Sequence, residues 1–514
     1  MIETKNQSGT RREFLRQAGG VTFLALAFKA PGVWAASDAA LPNFTALPYI
    51  QPGDNSTLRA GKESQIIAWQ TDSTEAKFTL EYGPTAKYGK SASIERTQRA
   101  AGMVHGKTPA DSHEVPAGIH YAATLPNLDL SKRYFYRLSG NHQVIAEGEF
   151  TTRKKRGEKV RFVSFGDNAN GSEGERAVAY QAYMAHPDFI MNTGDNVYGK
   201  GLNSEYIKNF FPVYNANKAE ITVGAPLLRS VPFYSVIANH DVAHKGPEGP
   251  VADLDQAVDV LGYYTNLHLP LNGPAKPVYG TPVIGAAASA ESFRKAAGAR
   301  FPRQANYSFD YGDIHFLCLD ANVYVDPSDA ALQAWITADL KATDAAWKFV
   351  VYHHPCFNVG EAHFRQQHMR VLSPIFEAAG VDFCLNGHEH VYQRSYPLRF
   401  KATDTSRLSP KFGGDRLVPG VFTFDQRFDG KTKTKPDGIL YITTGAGGAS
   451  LYDPGFDDAP EKWLHDEDKR APIAAKFISS QHSCTVFDVT ATELTMTQIG
   501  EKGDILDTIR VTKK

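Results

Sequence analysis

Hydrophobic patterning changes near residue 159 of this 514-residue chain. Before that point apolar residues come in short runs: Gln65-Ile66-Ile67-Ala68-Trp69, Phe78-Thr79-Leu80-Glu81-Tyr82 and Tyr134-Phe135-Tyr136-Arg137-Leu138. These runs are enriched in β-forming residues and are separated by turn signals such as Tyr82-Gly83-Pro84 and Leu125-Pro126-Asn127. They predict short strands of a small β-sandwich over residues 38–152. His105, His113 and His120 fall here without a shared spacing and are expected to be surface or locally bonded residues.

After residue 159 strands alternate with helical segments. Leu332, Trp335, Ile336 and Leu340 fall at i, i+3, i+4 and i+8, one face of an amphipathic helix with Ser328 as its candidate N-cap. Residues 369–379, followed by Gly380, predict a second helix with its stop signal. The strands between are continuous apolar runs, as a sheet covered on both faces requires. Segments 270–300 and 400–437, rich in Gly, Pro and Ala or in charge, predict long surface insertions, and the tail from Cys484 to Val511 returns to β pattern. There is no internal repeat.

What ends the apolar runs carries the chemistry. Val160-Arg161-Phe162-Val163-Ser164-Phe165 leads into Gly166-Asp167, and Phe189-Ile190-Met191-Asn192-Thr193 leads into Gly194-Asp195, with Tyr198 three further on. The run from Phe233 to Ala238 leads into Asn239-His240-Asp241, and Phe349-Val350-Val351-Tyr352 into His353-His354. Val381-Asp382-Phe383-Cys384-Leu385 leads into Asn386-Gly387-His388-Glu389-His390. Two imidazoles one residue apart suit an extended segment aiming both at a common point, which a metal ion could occupy. Taken alone, Asp167 reads as a helix cap, since Asn168 and Ser172 follow it in a turn-like stretch. Five such ends are harder to explain that way, because α/β sheets carry their functional groups beyond the carboxyl ends of the strands.

Charge and targeting narrow the picture. A formal net charge of -1 leaves no global basic field for nucleic acid or an anionic membrane. The run Arg153-Lys154-Lys155-Arg156 is expected to be a solvated linker. Thr10-Arg11-Arg12-Glu13-Phe14-Leu15-Arg16 precedes a weakly apolar stretch from Ala18 to Ala30, and Val33-Trp34-Ala35-Ala36 offers small residues for cleavage. This is the layout of a twin-arginine export signal over residues 1–36. It predicts a periplasmic or secreted protein without stable membrane insertion after cleavage. Cys318, Cys356, Cys384 and Cys484 permit two disulfides but do not require them. Cys318 and Cys384 read as core residues, and Cys356 stands out because it falls two residues past a histidine pair.

In order, the five strand ends resemble the metallophosphoesterase superfamily and, within it, the purple acid phosphatases. Gln304-Ala305-Asn306-Tyr307-Ser308-Phe309-Asp310 with Ile314-His315-Phe316-Leu317, and Tyr441-Ile442-Thr443-Thr444-Gly445-Ala446-Gly447-Gly448, extend the resemblance over about residues 160–450. It implies an α+β or α/β fold: a fibronectin-III-like β-sandwich at 38–152, then a four-layer αββα catalytic domain at 159–514 that includes the C-terminal β segment. By position, it implies that Asp167, Asp195, Tyr198 and His390 hold a first metal. Asp195, Asn239, His353 and His388 would hold a second, with Asp195 bridging. His240 and His363 would lie in the substrate pocket, donating hydrogen bonds to phosphate, one of them protonating the leaving alkoxide. The implied cofactors are Fe(III) at a tyrosinate site and a second divalent metal, Zn, Fe or Mn. Many superfamily members carry a histidine two residues after the first aspartate; here Ala169 stands there and Tyr198 is present, which suits the purple acid phosphatase branch. Two departures, Ala169 and Ala238 where the family usually has glycine, leave every donor atom in place.

These residue types suit the implied chemistry. Two cations about 3.5–4 Å apart repel and need a shared anionic ligand, the role offered to Asp195. A phenol with an ordinary pKa of about 10 becomes a ligand near neutrality only beside a strongly polarising cation. Three anionic ligands against Fe(III) and a divalent ion leave a net positive site suited to a phosphate ester. The expected function is therefore an exported acid phosphatase that hydrolyses phosphate monoesters by attack of a metal-activated hydroxide. Its expected partners are a small-molecule phosphate ester and the twin-arginine export machinery, with no nucleic acid. Competing readings are a phosphodiesterase or nucleotidase on the same metals, and a non-catalytic surface-binding protein with a vestigial site. A calcium- and iron-using exported phosphodiesterase is a further alternative, which gives no reason for the two histidines of the fifth strand end.

Overall fold

The β-forming runs assemble into two antiparallel four-stranded sheets. One has the order Phe44–Gln51, Lys62–Asp72, Gly118–Asp129, Ile94–Arg99; the other runs Gln143–Thr151, Arg133–Gly140, Phe78–Gly83, Lys90–Ala92. A computed structural model describes residues 41–513 apart from 59, 60, 243, 247, 248, 277, 278 and 458, so the export signal expected over 1–36 lies outside the described residues. Alternate side chains point inward: Ile67, Trp69 and Tyr121 from one sheet pack with Leu80, Tyr136 and Leu138 from the other. Trp69 stacks on Tyr121 with ring centroids 5.2 Å apart. His105 and His113 are exposed, while the half-buried His120 places Nδ1 3.4 Å from the Thr265 carbonyl.

The expected solvated linker is not solvated at its first residue. Arg153 is 1% exposed. Its Nε donates to Glu63 Oε2 at 2.7 Å, and Nη1 donates to the carbonyls of Ser56 and Asp310 at 3.1 and 2.8 Å. Several donors on one planar group let it serve a buried carboxylate and loop carbonyls together, so this arginine ties the β-rich region to the strand pair that begins at Tyr307. Lys154 and Arg156 reach Asp188 and Asp310 at 3.4 and 3.3 Å.

Beyond residue 159 two larger sheets lie face to face. The six-stranded sheet has the order Phe233–Ser235, Phe189–Asn192, Val160–Phe165, Ser483–Val489, Glu493–Gly500, Ile505–Thr512. The seven-stranded sheet runs Tyr307–Tyr311, Ile314–Leu319, Trp347–Tyr352, Phe383–Asn386, Leu440–Thr444, Tyr392–Ser395, Ala474–Ile478. Aromatic rings fill the space between them: Phe162 lies 5.3 Å from Phe316 and 5.5 Å from Phe349. Helix Glu173–Met184 packs on the first sheet, and helix Ala330–Ala342 packs on the second through Leu332, Ile336 and Leu340. The result is a mixed α/β, four-layer arrangement.

Local details differ from expectation where side chains compete. The cap of helix Ala330–Ala342 is Asp329, whose carboxylate accepts the Leu332 N–H at 2.8 Å; Ser328 bonds to Asp326 instead. Residues 369–379 begin as a 3-10 turn, His368–Leu372, and become α-helical only at Ser373–Ala378, because Pro374 has no N–H to donate to the preceding turn. All four cysteines are free and buried. Burial pushes the Cys356 thiol up to about 12, and its sulfur lies 3.1 Å from Tyr352 Oη. No helix among the described residues is long and apolar enough to cross a membrane.

The site depends on strand direction. Val160–Phe165, Phe189–Asn192 and Phe233–Ser235 are parallel neighbours, as are Trp347–Tyr352, Phe383–Asn386 and Leu440–Thr444. Their carboxyl ends meet across the sandwich, where the Gly166 N–H donates to the Thr444 carbonyl at 3.0 Å.

Candidate metal centre

Three of the expected ligands turn the chain sharply as it leaves a strand. Asp167, Asp195 and His388 have φ of 56°, 50° and 67°, a left-handed region that non-glycine residues occupy only when surrounding contacts hold them there. Those contacts are present. The Asp167 N–H donates to the Gly194 carbonyl at 3.0 Å. Asp195 Oδ1 accepts the His240 N–H at 2.8 Å. The His388 N–H donates to both Asp167 oxygens at 3.0 and 2.9 Å. Gly387 is required beside it, since a Cβ there would sit 2.5 Å from Asp167 Oδ2. The extended reading of His388 and His390 is thereby corrected: the turn at His388 sends the two rings to different groups. Asp167 is no helix cap either, because Ser172 caps helix Glu173–Met184 by accepting the Glu175 N–H.

Among the described residues, Asp167, Asp195 and His390 form one group and Asp195, His353 and His388 another, each with ligand atoms within 4.8 Å of one another. Asp195 belongs to both. Tyr198 joins the first, with Oη 3.3 Å from Asp167 Oδ1 and 2.8 Å from His390 Nε2. Asn239 heads the turn Asn239–Asp241, whose next N–H holds Asp195. His353 Nδ1 lies 2.8 Å from the Thr193 carbonyl, and His390 Nδ1 lies 2.6 Å from the Ser450 carbonyl. Donation to these carbonyls fixes both tautomers and leaves each Nε2 facing carboxylate, 3.3 Å from Asp195 and 3.4 Å from Asp167.

The electrostatics describe a cluster of anions and imidazoles in which protons occupy positions that a cation can take. Burial lowers the basicity of His353, but Asp195 and Asp167 outweigh it and push its pKa up to about 9. His390 is raised in the same sense, burial being overcome by Asp167 and the Ser450 carbonyl. His388 is held well below the usual range by burial and the neighbouring histidines. Burial first, then Asp167 and Asp195, raises Tyr198 well above an ordinary phenol. Ionising it therefore needs a strong local positive charge.

His240 and His363 flank these groups without joining them. The His240 ring lies 4.6 Å from Tyr198, and the His363 ring lies 3.8 Å from His388. His354 joins neither group; it is buried against His388 at 4.2 Å. Three neighbours escaped the sequence reading. Glu389, fully buried, accepts from Asn358 Nδ2 at 2.8 Å and lies 3.2 Å from His363 Nδ1. Tyr452 stacks on His390 at 4.0 Å, and Gln366 lies 3.1 Å from His388 Nε2. Only Glu389 had a signal in the sequence, its place between two candidate ligands. The departures from family glycine are absorbed: Ala238 is buried against Gly194, and the Ala169 carbonyl accepts the Tyr198 N–H at 3.3 Å.

The donor set fits a pair of cations. Asp195 Oδ2, Asn239 Oδ1 and His353 Nε2 are buried and make no well-aligned hydrogen bond, a costly condition unless another partner serves them. Oxygen and imidazole donors are the types that Zn, Mn and Fe ions accept.

Comparison with known proteins agrees. Residues 160–392 match the calcineurin-like phosphoesterase family. Purple acid phosphatase 17 of Arabidopsis thaliana is 28% identical over 264 residues, 49% of this chain and 69% of that protein. Among solved structures, purple acid phosphatase PPD1 from seeds of yellow lupin (Lupinus luteus) matches with a TM-score of 0.60 at 16% identity, covering 90% of this chain and 74% of that one. PhoD matches with a TM-score of 0.52 at 14% identity, covering 92% of each chain; at these identities the structures speak for the fold. Matched family and fold together place the chain among the metal-dependent phosphoester hydrolases. It carries a calcineurin-like phosphoesterase region and is similar to the purple acid phosphatases, a family that implies a dinuclear metal site.

Proposed function

We propose that the chain is an exported phosphatase acting on small phosphate monoesters, with Fe(III) held on the Tyr198 side and a divalent Zn, Fe or Mn ion on the Asn239 side. The observation that carries this reading is Asp195, one carboxylate shared by a donor group that Tyr198 joins and a donor group of His353 and His388, with the buried, unbonded Asn239 Oδ1 in the turn that holds Asp195. When bound, two such cations supply Lewis acidity at the phosphoryl oxygens and acidify a water for in-line attack on phosphorus. Asp195 lowers the repulsion between the two positions, and the carbonyl-anchored His353 and His390 present one fixed nitrogen each. His240 and His363, both partly exposed, donate hydrogen bonds to the phosphate oxygens. One of them gives its proton to the departing alkoxide.

The reading is tested on protein recovered after export, with elemental analysis, a visible spectrum, and turnover of p-nitrophenyl phosphate beside its bis ester. Two ions per chain and preference for the monoester are expected. Less than one tightly held ion would favour a non-catalytic surface role, and a diester preference of several decades would favour a phosphodiesterase or nucleotidase. Export by the twin-arginine route is tested by changing Arg11 and Arg12 to lysine and comparing cell fractions; unchanged export would remove that route.

A further inference from the structure

The three candidate histidine ligands are not held alike. His353 and His390 are anchored by backbone carbonyls, whereas His388 Nε2 lies 3.1 Å from a side-chain oxygen, Gln366 Oε1. An amide oxygen only accepts, so His388 Nε2 carries the hydrogen and Nδ1 keeps its lone pair. Gln366 is not on a strand of either large sheet. It sits in segment 363–368, which the insertion following Leu398 holds from outside.

That hold is extensive. Gln366 and Arg416 form an isolated parallel bridge. The Gln367 N–H donates to the Arg416 carbonyl at 3.1 Å, the Arg416 N–H to the Arg365 carbonyl at 3.0 Å, and the Val418 N–H to Gln367 Oε1 at 3.0 Å. Gly414 backs the glutamine: a Cβ there would lie 3.5 Å from Gln366 Nε2. The insertion is itself anchored by Arg416, fully buried, whose Nη1 donates to the carbonyls of Val323 and Val325 at 2.9 Å each. Its Nη2 bonds the Leu408 carbonyl.

We propose that Gln366 is a positioning residue for the His388 donor group, and that insertion 400–437, through Arg416, braces it so that His388 Nδ1 faces Asp195 and His353. This rests on the two-metal reading above and concerns a residue that acts through a ligand, not on substrate. Being neutral, glutamine orients the imidazole without adding negative charge to the site. An outer partner of this kind typically governs metal affinity by about 10–100-fold.

The test is calorimetric titration of the metal-free full-length chain with Zn2+ alone. Gln366→Leu is expected to weaken one of the two binding events by about 10–100-fold and to spare the other. Gln366→Glu, which keeps the acceptor, is expected to restore the weakened event. Arg416→Met is expected to act in the same direction as the leucine variant; should it not fold, the two Gln366 variants decide the matter. Unchanged affinities in Gln366→Leu, or a glutamate variant as weak as the leucine one, would overturn the inference alone. Failure of the unaltered chain to bind two Zn2+ ions would overturn the two-metal reading and this inference with it.

Discussion

Tyr198 Oη lies 2.8 Å from His390 Nε2, and the two rings meet edge to face at 86°. The residues are 192 positions apart and descend from different sheets, Tyr198 from the end of Phe189–Asn192 and His390 from the end of Phe383–Asn386. Their contact therefore reports directly on how the two sheets are stacked, and the Phe162, Phe316 and Phe349 rings between the sheets set that stacking.

Tyr198→Phe removes a phenol that bonds both Asp167 and His390. It should abolish any tyrosinate-to-iron colour in the purified, metal-loaded protein while sparing some hydrolysis. Colour that persists in the visible spectrum would take Tyr198 out of the coordination sphere.

Asp195 belongs to both donor groups, so Asp195→Asn should weaken both ions together, by more than the roughly 10–100-fold expected from loss of an outer partner. Elemental analysis after dialysis checks this. Loss of only one ion would show that the carboxylate does not bridge.

His240→Ala should cut turnover by about a hundredfold or more if the imidazole transfers a proton, with metal content unchanged. The backbone N–H that holds Asp195 is retained in this variant, which separates the two roles of the residue. An unchanged rate would leave His240 a structural part only.

Metal uptake should release protons. In the metal-free chain the His353 pKa is pushed up to about 9, while a ligand imidazole must be neutral. Below pH about 9, then, a cation at this site displaces a proton, and affinity should fall as pH falls. Titrations with Zn2+ in two buffers of different ionisation enthalpy measure the number released; identical heats would contradict the assignment.

Away from the site, His315 lies between Asp310 and Asp339, with ring nitrogens 2.8 and 2.9 Å from their oxygens. Burial opposes its charge, but the two carboxylates outweigh it and push the pKa up to about 9 from an ordinary 6.5. Because the folded value is the higher one, the stabilisation is complete below pH about 6.5 and is lost as pH rises through about 9. His315→Leu leaves the buried Asp310 with Arg156 as its remaining charged partner and the half-buried Asp339 with Ser308, and should cost about 1–3 kcal/mol at pH about 6. The deficit should shrink in alkaline buffer, as denaturant unfolding at both pH values would reveal; a pH-independent deficit would mean a packing effect.

Much of the fold and site was legible from residue order because it depends on neighbours in sequence. Strand Val160–Phe165 could be read from its apolar run, and the donors that come after each strand are written beside it. Choices between near-equal local partners were less legible: Asp329, not Ser328, caps helix Ala330–Ala342, since both residues suit the role and only the chain path decides. Arg153 looked like one charge in a solvated run, yet its surroundings include Glu63 and Asp310, 90 and 157 positions away.

Chain order thus supplied the kinds of donor and the turns that expose them, because strand periodicity and the identity of the residue after a strand are short-range properties. The resemblance implied which donors belong together, but the geometry that groups them is a matter of three-dimensional arrangement. Left-handed turns at Asp167, Asp195 and His388 and the stacking of two sheets give His388 and His390 to different groups. The same arrangement brings Gln366 to His388 from an insertion-braced loop. Such contacts join segments far apart in the chain, and no local pattern encodes where those segments will meet.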